Sequence, residues 1–70
     1  MERVIQNLLD RRDYNRAEQG KYEAMHGEHV AETGDHTASI WSEMAEWHKG
    51  KVDAYTTALE AIHNELEAAQ

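Results

Sequence analysis

The sequence contains no cysteine and no proline, and it has no long apolar run. Without cysteine, disulfides and thiolate metal sites are excluded, and nothing points to an oxidising compartment. Without proline, no position lacks the backbone N–H that a continuous helix needs. No stretch reaches the roughly 18 apolar residues of a membrane span, so we expect no membrane partner.

Basic residues are also scarce, with seven Lys or Arg against 14 Asp or Glu, for a formal net charge of −7. Nucleic-acid binding uses clustered basic side chains, so we expect no DNA partner. An acidic chain of this kind is instead attracted to basic surfaces. The first twelve residues lack the basic and then apolar regions of a signal peptide, which predicts a cytoplasmic location.

Seventy residues form one small domain at most. A domain near this size buries only about 60% of the surface that its unfolded chain exposes. Without disulfides, such a chain needs a metal, unusually good helix packing or a partner subunit to be stable. We therefore expect a second copy, or another protein, to contribute to the folded state.

The chain is divided almost at its midpoint by Gly34, and apolar residues follow helical spacing on both sides of it. This pattern predicts an all-α fold: an antiparallel two-helix hairpin that forms a single domain over residues 1–70. Helix 1 is expected at about 2–32, the turn at 33–35 and helix 2 at about 36–68. Gly34 would close helix 1 in the left-handed conformation, and Asp35 would cap helix 2. Residues 15–18 have the form of a capping box, so a break in helix 1 near residues 13–15 is the alternative.

Helix 2 carries an apolar band that is wider than one neighbouring helix covers. At 100° per residue its central line runs through Ile40, Met44 and Trp47, and folding at Gly34 predicts that Tyr22 faces Trp47. Further apolar and aromatic residues widen the band to about 140°, beyond the ~100° of a surface helix with one buried side. This width predicts self-association as a homodimer, giving a four-helix bundle, or as a higher helical oligomer. The expected shape resembles that of small dimeric helical hairpins, among them plasmid RNA-binding proteins, although no motif carries the likeness.

The wide aromatic band and the acidic surface favour a small non-enzymatic protein–protein interaction module. Aromatic side chains are enriched among the residues that contribute most to binding. Short acidic helical chains are typical of phages and mobile elements, so the specific hypothesis is an inhibitor or adaptor that binds and blocks a larger host or defence protein. The predicted partner-binding residues are Trp41, Trp47, His48, Tyr55, Glu43 and Glu46.

Two alternatives use other residues. A concentration of basic and aromatic side chains in helix 1 is suited to a small anionic ligand such as a nucleotide; it comprises Arg11, Arg12, Tyr14, Arg16, Lys21 and Tyr22. Two Glu-x-x-His pairs have the spacing that carboxylate-bridged metal bundles use, Glu23 with His26 and Glu60 with His63. Metal-free surface histidines are the competing interpretation of these pairs, and we expect no cofactor.

Catalysis has little support in the sequence. There is no cysteine nucleophile, no Gly-x-Ser-x-Gly turn and no phosphate-binding loop. A two-helix hairpin also offers little concavity for an active site. We therefore predict that the protein is not an enzyme.

Overall fold

The computed structural model describes residues 1–69 and forms an elongated helical hairpin of 55 × 17 × 13 Å. Helix α1 spans Glu2–Thr33 and helix α2 spans Ile40–Ala68, and the two pack against each other. The predicted all-α antiparallel hairpin is thereby confirmed. Neither helix in this part of the chain combines the length and apolar character that crossing a membrane would need.

Helix α1 is continuous, so the alternative of a break near residues 13–15 is wrong. Asn15 does not cap a helix. Its side-chain Nδ2 donates to the carbonyl oxygen of Arg11 at 2.7 Å, four residues back within the same helix. An Asn that bonds to the preceding turn leaves the backbone ladder intact, which is why the capping pattern does not interrupt the helix.

The end of α1 follows the prediction. Gly34 has φ 71° and ψ 4°, in the left-handed region, and its N–H donates to Val30 O at 2.7 Å. Glycine adopts this conformation without the steric cost of a Cβ, so the helix ends here and the chain reverses. Gly34 is the one described residue with a φ in this region.

Helix α2 begins at Ile40, four residues later than expected, because Asp35 closes a local turn instead of capping the helix. The Asp35 carboxylate accepts hydrogen bonds from the hydroxyl and the backbone N–H of Thr37, at 2.7 and 2.9 Å. These bonds, the hydroxyl first, lower the pKa of Asp35 below its usual value. The cap is Ser39, whose hydroxyl accepts from Ser42 N, while the Ser42 hydroxyl accepts from Ser39 N.

The two helices meet along a seam of half-buried and buried residues. Along each helix these residues are three and four positions apart in turn, which makes a seven-residue repeat. This spacing is typical of helices that coil gently around each other. On α1 the seam consists of Ile5, Leu8, Arg12, Asn15, Gln19, Tyr22, His26 and His29. On α2 it consists of Trp41, Ala45, His48, Val52, Tyr55, Leu59 and Ile62.

The seam provides very little core. Among the described residues only Ala45, Val52, Asn15 and His48 are buried, and two of these four are polar. No described large side chain is completely buried. A hairpin with so few buried side chains gains little stabilisation from a core, and domains of this size are marginal even with a full core.

Candidate functional site

The centre of the seam is a buried polar pair. His48 Nδ1 lies 2.8 Å from Asn15 Oδ1, and each residue is only 6% exposed. The Asn15 Nδ2 group is already committed to the Arg11 carbonyl, so Oδ1 is the acceptor and His48 Nδ1 carries the donated proton. Either partner alone would be left buried and unpaired, so this hydrogen bond favours the alignment of the two helices that brings Asn15 and His48 together.

Three aromatic rings surround the His48 imidazole. Tyr22 stacks on it with ring centroids 5.7 Å apart and planes 7° apart. Trp47 and Tyr14 meet it edge-on, at 4.8 and 6.5 Å. His48 therefore connects the buried seam to two rings at the surface, since Trp47 is 55% and Tyr14 63% exposed.

Trp47 is also held from its outer side. The ammonium of Lys51 lies 4.6 Å from the centroid of the Trp47 ring, within the range of a cation–π interaction. An exposed tryptophan fixed between an imidazole and an ammonium has few rotamers left to lose on binding. Such ordering before contact is what makes a surface aromatic an effective binding residue.

Trp47 belongs to a line of side chains on α2 that lies beside the seam and repeats at the same spacing of three and four. This line, here called the Trp47 flank, is apolar except for one lysine. The exposed ring of Tyr14 on α1 contacts His48 and lies on the same side of the hairpin as this line. Met25 of α1 and Trp41 of α2 both line a shallow groove on this side. The members of the flank on α2 are Ile40, Met44, Trp47, Lys51, Ala54, Ala58 and Ala61.

The opposite side of α2, here called the Lys49 flank, is polar along its length. It consists of Ser42, Glu46, Lys49, Asp53, Thr56, Glu60 and His63. An open groove of about 490 Å³ lies on this side, between Arg12 of α1 and Glu60 and His63 of α2. The two sides of α2 that border the seam thus differ in polarity.

The predicted partner-binding residues fall in three different places. Trp47, Glu43 and Glu46 are exposed, although the two glutamates lie outside the Trp47 flank. Trp41 and Tyr55 are half-buried in the seam, and the Trp41 ring lies 5.4 Å from His29. His48 is buried between the helices, where its ring contacts those of Trp47 and Tyr14.

The predicted pairing of Tyr22 with Trp47 is wrong by one residue. Tyr22 stacks on His48, and α2 is rotated so that Ile40, Met44 and Trp47 lie beside the seam and not in it. In this orientation His48 points into the seam and reaches Asn15, and its neighbour Trp47 lies outside the seam.

The predicted anionic-ligand residues do not all lie on the same side of α1. Arg12 is half-buried in the seam and pairs with Asp13 at 3.1 Å, whereas Lys21 lies 5.3 Å over the ring of Tyr22. Arg11, Tyr14 and Lys21, at successive spacings of three and seven residues, lie on one side of α1, whereas Arg16 lies on another side.

The two Glu-x-x-His pairs lie at opposite ends of the hairpin. His26 Nδ1 is 2.8 Å from the Ser39 hydroxyl near the turn, whereas His63 Nε2 is 3.1 Å from a Glu67 oxygen near the chain ends. Glu23 and Glu60 accompany their respective histidines on separate helices. Within residues 1–69, no three His, Asp or Glu side chains are arranged to hold a metal ion.

Sequence reasoning missed Asn15 as a functional position and treated Tyr14 only as part of a basic patch. The signal for Asn15 is its place in the seven-residue repeat of α1, between Leu8 and Tyr22, which marks it as a seam residue in spite of its polarity. Apolar spacing predicts Ile40 and Met44 in the buried band. Their place beside the seam follows once the register of His48 is known.

Comparisons of the chain with protein-family models, with curated proteins and with solved structures find no match. The Trp47 flank is therefore the main structural indication of what the hairpin does.

Proposed function

We propose that the protein is a non-enzymatic protein–protein interaction module that binds another polypeptide through the Trp47 flank. The observation that carries the proposal is that polar residues are buried while large apolar and aromatic residues are exposed. Asn15 and His48 are buried, whereas Ile40, Trp47 and Tyr14 are each more than half exposed. Apolar side chains placed outside an almost coreless seam stabilise the fold only when another chain covers them.

The chemistry of the flank favours a polypeptide over a small ligand. A tryptophan held by His48 and Lys51, with a tyrosine and aliphatic side chains around it, has the composition of a protein-binding surface. The partner is a second copy of the chain, a larger protein, or both in succession. The narrower hypothesis, a phage or mobile-element inhibitor of a host or defence protein, stays a prediction from composition.

A photo-crosslinking residue placed on each flank tests the proposal. We expect p-benzoylphenylalanine at position 47, in cells that express the chain, to give adducts with a polypeptide when irradiated. The same residue at position 49, two residues away on the same helix but on the Lys49 flank, serves as the matched control and should give far fewer.

Equal labelling from both positions would mean that the Trp47 flank has no special role in binding. An absence of polypeptide adducts at position 47, in a variant whose circular dichroism remains helical, would overturn the proposal. Mass spectrometry of the adducts separates a second copy of the chain from a different protein.

A further inference from the structure

We infer that the partner covering the Trp47 flank is a second copy of the chain, bound about a two-fold axis that passes close to Lys51 and runs perpendicular to the helices. This inference rests on the proposed function, because it names the occupant of the same surface. It is carried by three observations: the order of side chains along the flank, a depression at its far end, and the excess surface of the isolated hairpin.

The flank on α2 has a bulky half and a small half with Lys51 between them. Ile40, Met44 and Trp47 precede the lysine, and three alanines follow it at the same spacing. When a second α2 is laid antiparallel across the first with Lys51 at the centre, each bulky residue meets an alanine of the other copy. The pairs are Trp47 with Ala54, Met44 with Ala58, and Ile40 with Ala61. A two-fold contact requires this self-complementarity, in which residue i contacts j and j contacts i.

The end of the hairpin offers a place for the outermost pair. A shallow depression of about 200 Å³ lies beside Ala61, between Ile62, Leu66 and Met1. Its lining is apolar apart from Glu65 at the edge. Ile40, which is 67% exposed at the other end of the flank, is the side chain that the two-fold arrangement brings to this depression.

Charges of both signs lie near the proposed axis. Lys51 would lie near its own copy, and their mutual repulsion opposes the dimer. Glu18 and Lys21 of α1, four and seven residues after Tyr14, lie on the same side of the hairpin, with their charged atoms 3.9 Å apart. Glu18 is thus shared between Lys21 and the region of the axis.

The surface of the hairpin is large enough for such a contact. Its accessible area is 5266 Å², whereas a compact monomer of 8.1 kDa is expected to expose about 4,500 Å². The excess of about 800 Å² equals what one partner buries in a standard stable interface. A dimer that buries about 800 Å² of each chain through the Trp47 flank would thus leave each chain with the accessible area expected for its mass.

The absence of cysteine allows a direct test with single introduced thiols and a short bismaleimide that spans about one interhelical distance of 8–10 Å. Lys51→Cys, close to the axis, is expected to crosslink to its own copy. Lys49→Cys, on the opposite flank, is the matched control and should not crosslink to its own copy. Each variant is checked for helical circular dichroism, and both positions are exposed in the hairpin.

The register is tested with cysteines at the two ends of the flank. Ile40→Cys alone and Ala61→Cys alone should not crosslink, because each lies about 30 Å from its own copy in the antiparallel arrangement. An equimolar mixture of the two variants should crosslink. Self-crosslinking of Ile40→Cys, with no product from the mixture, would show a parallel arrangement and overturn the inference.

The failure of this inference is distinguishable from failure of the proposed function. A monomer by light scattering, with no Lys51→Cys product, would overturn the two-fold dimer. If position 47 still crosslinked a different protein in cells, the Trp47 flank would remain an interaction surface with another occupant. If neither product formed, both proposals would be wrong.

Discussion

The centre of the seam and the Trp47 flank show opposite relations between polarity and burial. In the seam, Asn15 and His48 are buried and hydrogen-bonded to each other. On the flank, a few ångströms away, Trp47 and Ile40 are exposed. We expect the polar pair to contribute alignment more than stability, whereas burial of the apolar flank by another chain would add stabilising free energy. The difference suggests that the chain is built to be completed by another surface.

The largest expected effect comes from placing the same charge on each surface. Ala45→Asp puts an unpaired carboxylate into the tightest part of the seam, where Ala45 is 5% exposed. We expect it to lower the free energy of unfolding by about 3 kcal/mol or more. Urea unfolding followed by far-UV circular dichroism measures the change.

Ala54→Asp is the matched control, because it makes the same substitution in the interior of the same helix but on the Trp47 flank. Its direct cost to the hairpin is a helix-propensity difference of less than about 1 kcal/mol. We expect it to abolish the dimer in light scattering while the chain stays helical. Equal loss of helix in both variants would show that seam and flank form one cooperative core.

The next largest effect concerns the polar pair. Asn15→Leu leaves His48 Nδ1 buried without its acceptor, which is expected to cost about 1–3 kcal/mol. Replacing both residues, Asn15→Leu with His48→Leu, should restore most of that loss, since neither polar group is then left unpaired. Asn7→Leu, at an exposed position of the same helix, is the control for helix propensity.

The double variant also tests the role of the pair in alignment. If the Asn15–His48 bond fixes the register, the doubly apolar seam should keep its stability but lose the ordered position of Trp47. Its near-ultraviolet circular dichroism and indole fluorescence would then change. A double variant with unchanged Trp47 signals would show that packing, and not the hydrogen bond, sets the register.

The hairpin itself could be predicted because it depends on local signals. Gly34 is the residue type that adopts a positive φ at a helix end, and apolar spacing identified both helices. The start of α2 could not be placed in the same way, because Asp35 and Ser39 are both good caps. Thr37 donates two hydrogen bonds to the Asp35 carboxylate, which keeps Asp35 in a separate turn. Ser39 is therefore the residue that caps α2.

The rotation of α2 was not predicted, because counting apolar residues does not separate the two neighbouring lines of α2. The seam and the Trp47 flank each have six apolar or aromatic residues out of seven. The features that distinguish the seam are the hydrogen bond between Asn15 and His48, 33 positions apart, and the small buried side chain of Ala45. The candidate site was therefore predicted at Trp47, but without the inward turn of His48 that exposes it.

The smallest expected effect tests whether a surface other than the seam and the Trp47 flank is covered in the assembled protein. Gly20 lies in the interior of α1, and a Cβ added there would meet nothing within 4 Å. Gly20→Ala should therefore stabilise the helix by about 0.5–1 kcal/mol, in urea unfolding of the full chain. Gly50→Ala, equally open on α2, is the companion variant. A gain from Gly50→Ala together with a loss from Gly20→Ala would mean that another helix approaches the outer side of α1, and the Trp47 flank would not be the only surface that the assembled protein covers.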